Sequence, residues 1–537
     1  MTESPQMTHR QVLEALTGLL LAMFVAMLSS TVVSNALPVI VADLEGSQTG
    51  YTWVVVATLL TMTATTPIWG KLADLFDQKV LVQVALVIFS IGSLAAGLAP
   101  SMEVLIGARA FQGLGVGGLT ALVQVVIASM VSPRERGRYA GYIGSVFALS
   151  TVSGPLIGGL LVDTLGWRWC FFVGLPVALV AFVVLQKTLR LPAVVRREVH
   201  IDYLGATLIM AGVSLLLVWV SLAGNQFEWV SGATAGLVGA GLLLVAAAVW
   251  VEVRVAEEPI IPMRLFRDRT TALATAASVL IGVAMFGSTV YLSQYFQLAR
   301  GMSPTRAGLM SIAMVGGLLV SSIVSGRIIS DTGRWKKFLV GGMVGVIAGL
   351  ALLSTIDKDT SLVLVGLYMA VLGVGLGATM QNLVLSVQNN TAMADMGAAS
   401  SLVAFFRSIG GSAGVSALGA VLAHQVADEV GAGLARLGVQ GGEESSHSIP
   451  DLDTLPGPVR EVFQTAFGEA SAHLFLVAVP FAVVALLCVL AIREVPLRET
   501  VLRDDELAPE LRAELDAAGA LSDEPLEGAP EAEGSRR

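Results

Sequence analysis

Charged residues are scarce in this chain of 537 residues. Asp, Glu, Lys and Arg together make up 14% of it, against about 25% in soluble domains. Hydrophobic residues make up 55% and the mean hydropathy is +0.77, whereas the apolar share of soluble domains is about 45 to 50%. This balance excludes a water-soluble fold and indicates an integral membrane protein.

Cysteine and nucleotide-binding motifs are nearly absent. The two cysteines, Cys170 and Cys488, lie far apart in apolar runs, so we predict neither a disulfide framework nor a metal site. The chain lacks the G-x-x-x-x-G-K sequence of ATP-binding loops, which disfavours an ATP-driven pump. "GLGVGG" and "GGSAG" match a dinucleotide fingerprint and a nucleophile elbow, but both lie in apolar runs and not at strand-to-helix turns. We therefore predict no enzyme and no bound cofactor.

Fourteen apolar runs are long enough to cross a bilayer, which requires about 20 residues per helix. We predict an all-α integral membrane protein with fourteen transmembrane helices. The predicted spans are 15–40, 51–70, 80–99, 103–128, 140–162, 170–189, 203–223, 231–252, 271–296, 306–329, 337–355, 361–386, 398–422 and 472–492.

The distribution of Lys and Arg predicts the orientation. If residues 1–14 are cytoplasmic, 24 of the 32 basic residues fall on the inner side, six on the outer side and two inside spans. Cytoplasmic segments carry such an excess, so we predict that both termini are cytoplasmic. The first run lacks a cleavage site and is expected to be retained. We expect a bacterial plasma membrane.

The net charge of −9 has a local source. Residues 494–537 carry 13 acids and five bases, and residues 424–471 carry eight acids and two bases. The acidic tail is predicted to be disordered, and no nucleic-acid partner is expected. Helical spacing in the outer segment 424–471 predicts that spans thirteen and fourteen project from the membrane as a helical pair. A lengthened connector is the alternative.

An internal repeat organises the chain. The glycines of "GLGVGG" recur in "GVGLGA" 260 residues later, and Gly70 corresponds to Gly326 at an offset of 256. We therefore predict two parallel six-helix halves around a central path, with two extra helices between them. The predicted divisions are an N-terminal segment 1–14, a first half 15–189, a linker with the extra helices 190–252, a second half 253–493 and the tail 494–537.

The loop "GKLADLFDQK", the spans "RAFQGLGVGG" and "GPLIGG", and the fourteen crossings together resemble the major facilitator superfamily, within its fourteen-span drug:proton antiporter branch of multidrug efflux transporters. The resemblance covers residues 15–493. It implies a monomer that exports small amphiphilic drugs, antibiotics or metabolites by alternating access, with the proton as coupling ion.

The loop after span two carries Gly70, Asp74 and Lys79 of the family pattern, with Asp77 and Gln78 departing from it. The resemblance implies that Asp74 pairs with a base or a helix end and holds one of two conformations. An ordinary turn capped by aspartate is the alternative.

Two arginines lie inside predicted spans, Arg109 and Arg407. An arginine there costs about 2.5 to 3.5 kcal/mol on insertion scales and indicates function. The resemblance implies that Arg109, followed by Gln112, takes part in proton coupling. The alternative is an arginine that extends to the outer interface.

Span five matches the family's antiporter motif, with Ser150 in place of one glycine, which implies outward transport. Small-residue packing without directional meaning is the alternative. The matching residues are Gly141, Gly154, Pro155, Gly158 and Gly159.

Acidic residues are absent from the interiors of the spans, and Ser29 stands where the family has an aspartate. Arginine does not titrate near neutral pH, and a path with arginines and no acids disfavours cations. We expect neutral or anionic cargo. Protons would then be carried at span borders, first by Asp163, then by Asp43 or His473, unless these are ordinary solvated groups.

Polar side chains in otherwise apolar spans are candidates for cargo contacts, although each can instead form a hydrogen bond between helices. The main alternatives for function are a lipid or secondary-metabolite exporter and a membrane sensor that transports nothing. The cargo candidates are Ser30, Thr31, Ser34, Asn35, Gln124, Tyr291, Gln294, Gln381 and Asn382, with Thr58, Thr61 and Thr65 of span two.

Overall fold

The structure, a computed structural model, describes residues 9–45, 48–189, 202–223, 227–437 and 456–498. Most of these residues lie in sixteen α-helices. The tail beyond residue 498 and the middle of the outer segment lie outside the described residues. The helices are α1 His9–Asp43, α2 Gln48–Leu75, α3 Gln78–Gly97, α4 Met102–Met130, α5 Pro133–Thr164, α6 Trp169–Phe172, α7 Gly174–Thr188, α8 Tyr203–Leu222, α9 Gly232–Arg254, α10 Arg269–Gln294, α11 Pro304–Met310, α12 Ile312–Thr332, α13 Lys336–Leu353, α14 Leu362–Asn390, α15 Met396–Arg436 and α16 Gly457–Ala491.

Among the described residues, fourteen helical stretches are long and apolar enough to cross a membrane, which confirms the predicted number of spans. Two of these stretches combine neighbouring helices, α6 with α7 and α11 with α12. Helices α15 and α16 continue well beyond the apolar runs, to Arg436 and from Gly457. The outer segment is therefore helical at residues 424–436 and 457–471.

The residues that depart from the family pattern after α2 have structural uses. The Asp77 carboxylate caps the start of α3 by accepting hydrogen bonds from the backbone N–H groups of Lys79 and Val80. The Gln78 side chain accepts a hydrogen bond from the hydroxyl of Ser129 at 2.9 Å, which connects α3 to α4. Asp77 therefore fixes the start of α3, and Gln78 holds α3 against α4.

The predicted repeat recurs in the packing. A Cβ atom on Gly113 of α4 would lie 2.6 Å from the Thr58 carbonyl oxygen of α2. A Cβ atom on Gly373 of α14 would lie even closer to the Met314 carbonyl oxygen of α12. Gly373 follows Gly113 by 260 residues, and Met314 follows Thr58 by 256. In each half, a glycine at the corresponding position allows the corresponding helix to approach closely. The halves are therefore parallel repeats.

The extra helices α8 and α9 pack against each other, and α8 also packs against α2 and α15, one helix from each half. Apolar residues of α8 share a buried cluster with Ile260 and Ile261 and with Leu402 and Phe405 of α15. The Glu252 carboxylate at the end of α9 accepts hydrogen bonds from the N–H groups of Ile260 and Ile261 at 3.0 and 3.2 Å. The segment after α9 is thereby held against α15.

The two halves cross closely at one end of the bundle, where α2 and α12 end and α5 and α15 begin. We call it the basic end, because the connections there carry most of the Lys and Arg residues. A Cβ atom on Gly70 of α2 would lie 2.6 Å from the Gly397 carbonyl of α15. A Cβ atom on Gly137 of α5 would lie 2.4 Å from the Gly326 carbonyl of α12. The two crossings are equivalent under the repeat.

Candidate functional site

Asp74 connects the two halves at the basic end. Its carboxylate oxygens accept hydrogen bonds from the backbone N–H groups of Gly397 at 2.6 Å and Ala398 at 2.9 Å. These are the first residues of α15, where unpaired N–H groups and the helix dipole favour an anion. The carboxylate of one half therefore caps a helix of the other, and separating the halves breaks both hydrogen bonds.

The two lysines of this region have different roles. Lys79 donates to the carbonyl of Gln186 at 2.8 Å, so it connects α3 to α7 within the first half. Lys71 is only 3% exposed and forms an ion pair with Glu258 at 2.7 Å. Sequence reasoning missed this pair, although a lysine inside an apolar helix one turn before Asp74 was an available signal.

The connection between α9 and α10, residues 255–268, holds both sides of this crossing. It contacts α2 through Glu258 and Lys71, and it contacts the start of α15 through Arg264 and Asp395, whose side chains pair at 2.8 Å. The hydrogen bond with Asp395 raises the pKa of Arg264. The connection therefore bridges the two helices that Asp74 joins.

Arginines close the second crossing. Arg134 of α5 donates to the carbonyls of Ser330 and Asp331, at the end of α12, at 3.2 and 3.3 Å. Arg136 is 5% exposed and donates to the Gln388 side chain of α14 at 3.1 Å. Because the C-terminal end of a helix attracts cations, these contacts favour closure of the basic end.

The segment after α16 reinforces the same closure. The Arg498 guanidinium donates to the carbonyls of Gln388 and Thr391 at 2.9 and 3.3 Å. Its own carbonyl accepts a hydrogen bond at 3.1 Å from the backbone N–H of Arg134, in the other half. The chain thus crosses from the second half to the first just before the described residues end.

A small cavity lies between the halves, above the closed end. The Gln124 side chain of α4 donates to that of Gln381 of α14 at 3.2 Å. With Asn382 and Gln388 they line a cavity of about 20 Å³, which holds about one water molecule. No drug-sized cargo fits there, so this conformation is closed between the cavity and the basic end.

Arg109 is the centre of a buried polar network in the first half. It is 4% exposed, so it does not extend to the outer interface. Its guanidinium donates to Gln112 at 2.5 Å, and the Gln112 amide donates to the hydroxyls of Ser29 at 3.0 Å and Ser93 at 2.5 Å. The serine that replaces the family's aspartate therefore belongs to the arginine's network, which contains no titratable acid.

Most residues of the antiporter motif serve helix packing. A Cβ atom on Gly154 would overlap Thr31 of α1, and one on Gly141 would lie 2.5 Å from Ile323 of α12. Gly158 also meets α1, whereas a Cβ atom on Gly159 would meet nothing within 4 Å. The motif therefore fits α5 against two different helices. The side chain of Pro155 lies outside the described residues.

Several cargo candidates form contacts between helices. Thr31 donates to the Ser150 carbonyl at 3.2 Å, Thr58 donates to the Arg109 carbonyl at 3.1 Å, and Tyr291 donates to the carbonyl of Val415. Ser30, Thr61, Thr65 and Gln294 lie on α1, α2 and α10, in line with the predicted spans. Among the candidates, only Gln124, Gln381 and Asn382 line the cavity. The side chains of Ser34 and Asn35 lie outside the described ones.

The proposed proton carriers at the span borders are open to solvent. Asp163 at the end of α5 and His473 on α16 are exposed. Asp43 accepts hydrogen bonds from Trp167 at 2.8 Å and Arg168 at 3.2 Å. These bonds hold the pKa of Asp43 below its usual range, so Asp43 stays charged at neutral pH. The geometry agrees with the alternative of solvated surface groups.

Fourteen membrane-crossing helices in two repeated halves, with a polar path between them that is closed at one end, define a multi-pass membrane transporter and not an enzyme. Its fold and sequence assign the family. The chain belongs to the Major Facilitator Superfamily, whose family model matches residues 19–415.

The chain is also similar to individual transporters. It is 36% identical over 490 residues to the uncharacterised MFS-type transporter Rv1877 of Mycobacterium tuberculosis, covering 91% of this chain and 70% of that protein. It is 34% identical to the multidrug transporter protein MdtP of Bacillus subtilis, covering 76% and 74%. It is 32% identical to the efflux pump dotC of Dothistroma septosporum, covering 90% and 84%.

The fold also matches a solved structure. The crystal structure of the human organic anion transporter MFSD10 (TETRAN) aligns with a TM-score of 0.56 at 13% identity and covers 88% of this chain and 99% of that one. At this identity the match supports the fold alone. Small-molecule substrates and a membrane setting follow from the transporter family.

Proposed function

We propose that this protein exports small amphiphilic compounds by alternating access, as a monomer of the fourteen-span drug:proton antiporter branch. We place it in a bacterial plasma membrane with both termini, and hence the basic end, in the cytoplasm. The relatives named as multidrug transporter and efflux pumps support this direction. The observation that carries the proposal is the closure of the basic end by contacts between the two halves.

These contacts suit a reversible gate. The glycine crossings bring the backbones together without interlocking side chains, and the polar contacts around them are few and directional. Separating α2 from α15 and α5 from α12 would open the path to the cytoplasm, and reforming the crossings would leave cargo with access to the outer side only. This is rigid-body motion of one half against the other.

The energy source is proposed to be the proton gradient, with the proton carried at a position other than Ser29. A serine hydroxyl does not titrate, and the network that joins it to Arg109 has no acid. The substitution Asp163→Asn tests the first sequence candidate. Uptake driven by a pH gradient that is unchanged in this variant eliminates Asp163 as the carrier.

Reconstitution into proteoliposomes tests the proposal as a whole. A panel of cationic, neutral and anionic amphiphiles is offered under an imposed pH gradient, with protein-free vesicles as the control. Gradient-dependent flux of at least one compound is expected. A complete lack of flux across the panel would support a sensor, and flux that ignores the gradient would remove the antiporter mechanism.

A second candidate is an exporter of secondary metabolites. One relative, 33% identical and covering 66% of this chain, is named as an MFS-type transporter of the acurin A biosynthesis cluster in Aspergillus aculeatus. The absence of an acid beside Arg109 agrees with cargo other than hydrophobic cations. Metabolite extracts from the cells in which the protein naturally occurs are offered to the same proteoliposomes. Flux of a metabolite from the extract, without flux of the drug panel, favours this candidate over a drug exporter.

A further inference from the structure

Arg407 is a charged side chain in the middle of a membrane span for which the described residues provide no bonding partner. It lies on α15, eleven residues after the helix starts, and is partly exposed. No described residue forms an ion pair or a hydrogen bond with its guanidinium. Charges inside membrane spans usually pair with one another or with carbonyl groups, so this arginine lacks the partner that its position requires.

Its level in the bundle follows from the neighbouring helix. Helices α14 and α15 are antiparallel across a short turn, and Gln388 donates to Ser400 across them at 2.9 Å. Gln381 lies seven residues back along α14, and Arg407 lies seven residues on along α15. Seven residues are two helical turns, or about 10 Å, and return to the same helix face. Arg407 is therefore at about the level of Gln381, where its backbone carbonyl packs against Gly282 of α10.

That level is the centre of the path between the halves. Gln381 is the residue that bonds Gln124 of the first half and lines the cavity. Helix α15 also contacts α4, which carries Gln124. Helix α15 therefore borders the first half, and Arg407 is at the height of the cavity on this helix.

The described lining of the cavity at this level offers no protein anion. The cavity lining includes a single charged residue, Arg136, and no acid. Arg136 already donates to Gln388 and to the carbonyls of Val131 and Ala128. Arg109 is bonded to Gln112. Arg407 is thus the intramembrane cation at this level whose hydrogen-bond donors remain available.

We infer that Arg407 binds the anionic group of the cargo, a carboxylate, sulfonate or phosphate on an amphiphilic body. The planar guanidinium offers paired donors that match such oxygens, and the surrounding path supplies apolar area and amides. The inference deepens the proposed export function and rests on it for the identity of the path. A free inorganic anion would use the same donors.

The test uses three probes with one apolar body: 11-(dansylamino)undecanoic acid, its methyl ester, and the analogue that ends in trimethylammonium. Their binding to the purified full-length protein in detergent is followed by dansyl fluorescence. Wild-type protein is expected to bind the acid at least about tenfold more tightly than the ester, since hydrogen bonds to charged groups contribute about 1.5 to 3 kcal/mol. The cationic probe should bind most weakly.

Two variants and a control separate charge recognition from folding. Arg407→Gln should lower affinity for the acid about tenfold or more while affinity for the ester changes less than about twofold. Arg407→Lys should retain part of the preference for the acid. Arg306→Gln removes an exposed arginine on α11 and should change neither affinity. Retained ester binding shows that each variant is folded.

The inference is overturned if Arg407→Gln leaves acid binding unchanged or weakens acid and ester equally. Replacing chloride by gluconate identifies the source of the anion. Tighter acid binding in wild-type protein alone shows that chloride competes at Arg407, and no change assigns the site to cargo alone. Acid binding through Arg407 without any flux in proteoliposomes would refute export but support the anion site. Flux without charge preference would support export but refute the anion site.

Discussion

Ser29, Arg109 and Gln112 show how one substitution changes a buried site. With an aspartate at position 29 the arginine would have an acid nearby, but here Gln112 connects it to a hydroxyl. The equivalent described positions of the second half hold apolar residues. At the offset of 260 residues, Arg109 corresponds to Met369 and Gln112 to Leu372, both fully buried apolar residues. The first half therefore has a polar network at positions where the second half packs with apolar side chains alone.

The variant Gln112→Leu is predicted to be destabilised by about 1 to 3 kcal/mol, because it leaves the buried guanidinium without its acceptor. The double variant Arg109→Met with Gln112→Leu copies the second half and should recover most of this loss. Thermal unfolding in detergent, followed by tryptophan fluorescence, measures both. A double variant less stable than Gln112→Leu would contradict the role given to the network.

At the scale of helices, the crossing of α2 and α15 is the element on which the closed state depends. Asp74 caps α15 directly, and the connection 255–268 holds both helices from outside through two ion pairs. The two extra helices are therefore joined to the gate and are more than a spacer between the halves. When the basic end opens, the connection 255–268 must lose its contact with α2 or with α15.

Lys71→Gln is predicted to loosen this crossing. In a background without the native cysteines, a cysteine at Ser401, which is 1% exposed, should react slowly with a membrane-impermeant maleimide. Reaction from the basic end should be several-fold faster in Lys71→Gln and in Asp74→Asn, because each variant removes a contact between the halves. Lys79→Gln is the matched control, since Lys79 bonds only within the first half. Equal acceleration by the control would refute the bridging role.

Gly326→Ala is predicted to prevent the second crossing from closing. The new Cβ atom would overlap the backbone carbonyl of Gly137, which cannot move aside as a side chain could. Gradient-driven efflux should fall at least about tenfold while the protein remains folded and binds probe from the basic end. Gly159→Ala on α5 adds the same methyl group where nothing lies within 4 Å and should transport normally. An active Gly326→Ala would show that close approach is not required.

Sequence predicted local features and missed contacts between distant segments. The fourteen spans and the repeat follow from apolar runs and glycine spacing, which are properties of each segment alone. The pair of Lys71 with Glu258 and the bond of Arg136 to Gln388 join residues 187 and 252 positions apart, so only packing reveals them. For the same reason sequence identified Ser29 and Gln112 separately but not the contact between them.

At the scale of the whole molecule, the structure corresponds to the state of the proposed alternating-access cycle that is closed at the basic end. The two glycine crossings are equivalent under the repeat, so the halves close the basic end with near-symmetric contacts. Alternating access requires that the same contacts break together. We therefore predict a second state in which the basic end is open and the hydrogen bond between Gln124 and Gln381 is broken.

The most direct measurement is the distance between spin labels at Phe76 and Arg334, which are exposed at the basic end on opposite halves. Double electron-electron resonance in nanodiscs should show the short distance of this closed state together with a longer population. Asp74→Asn and Gly326→Ala should both shift the distribution toward the longer distance. A single short distance, unchanged by either variant and by bound cargo, would contradict the alternating-access account.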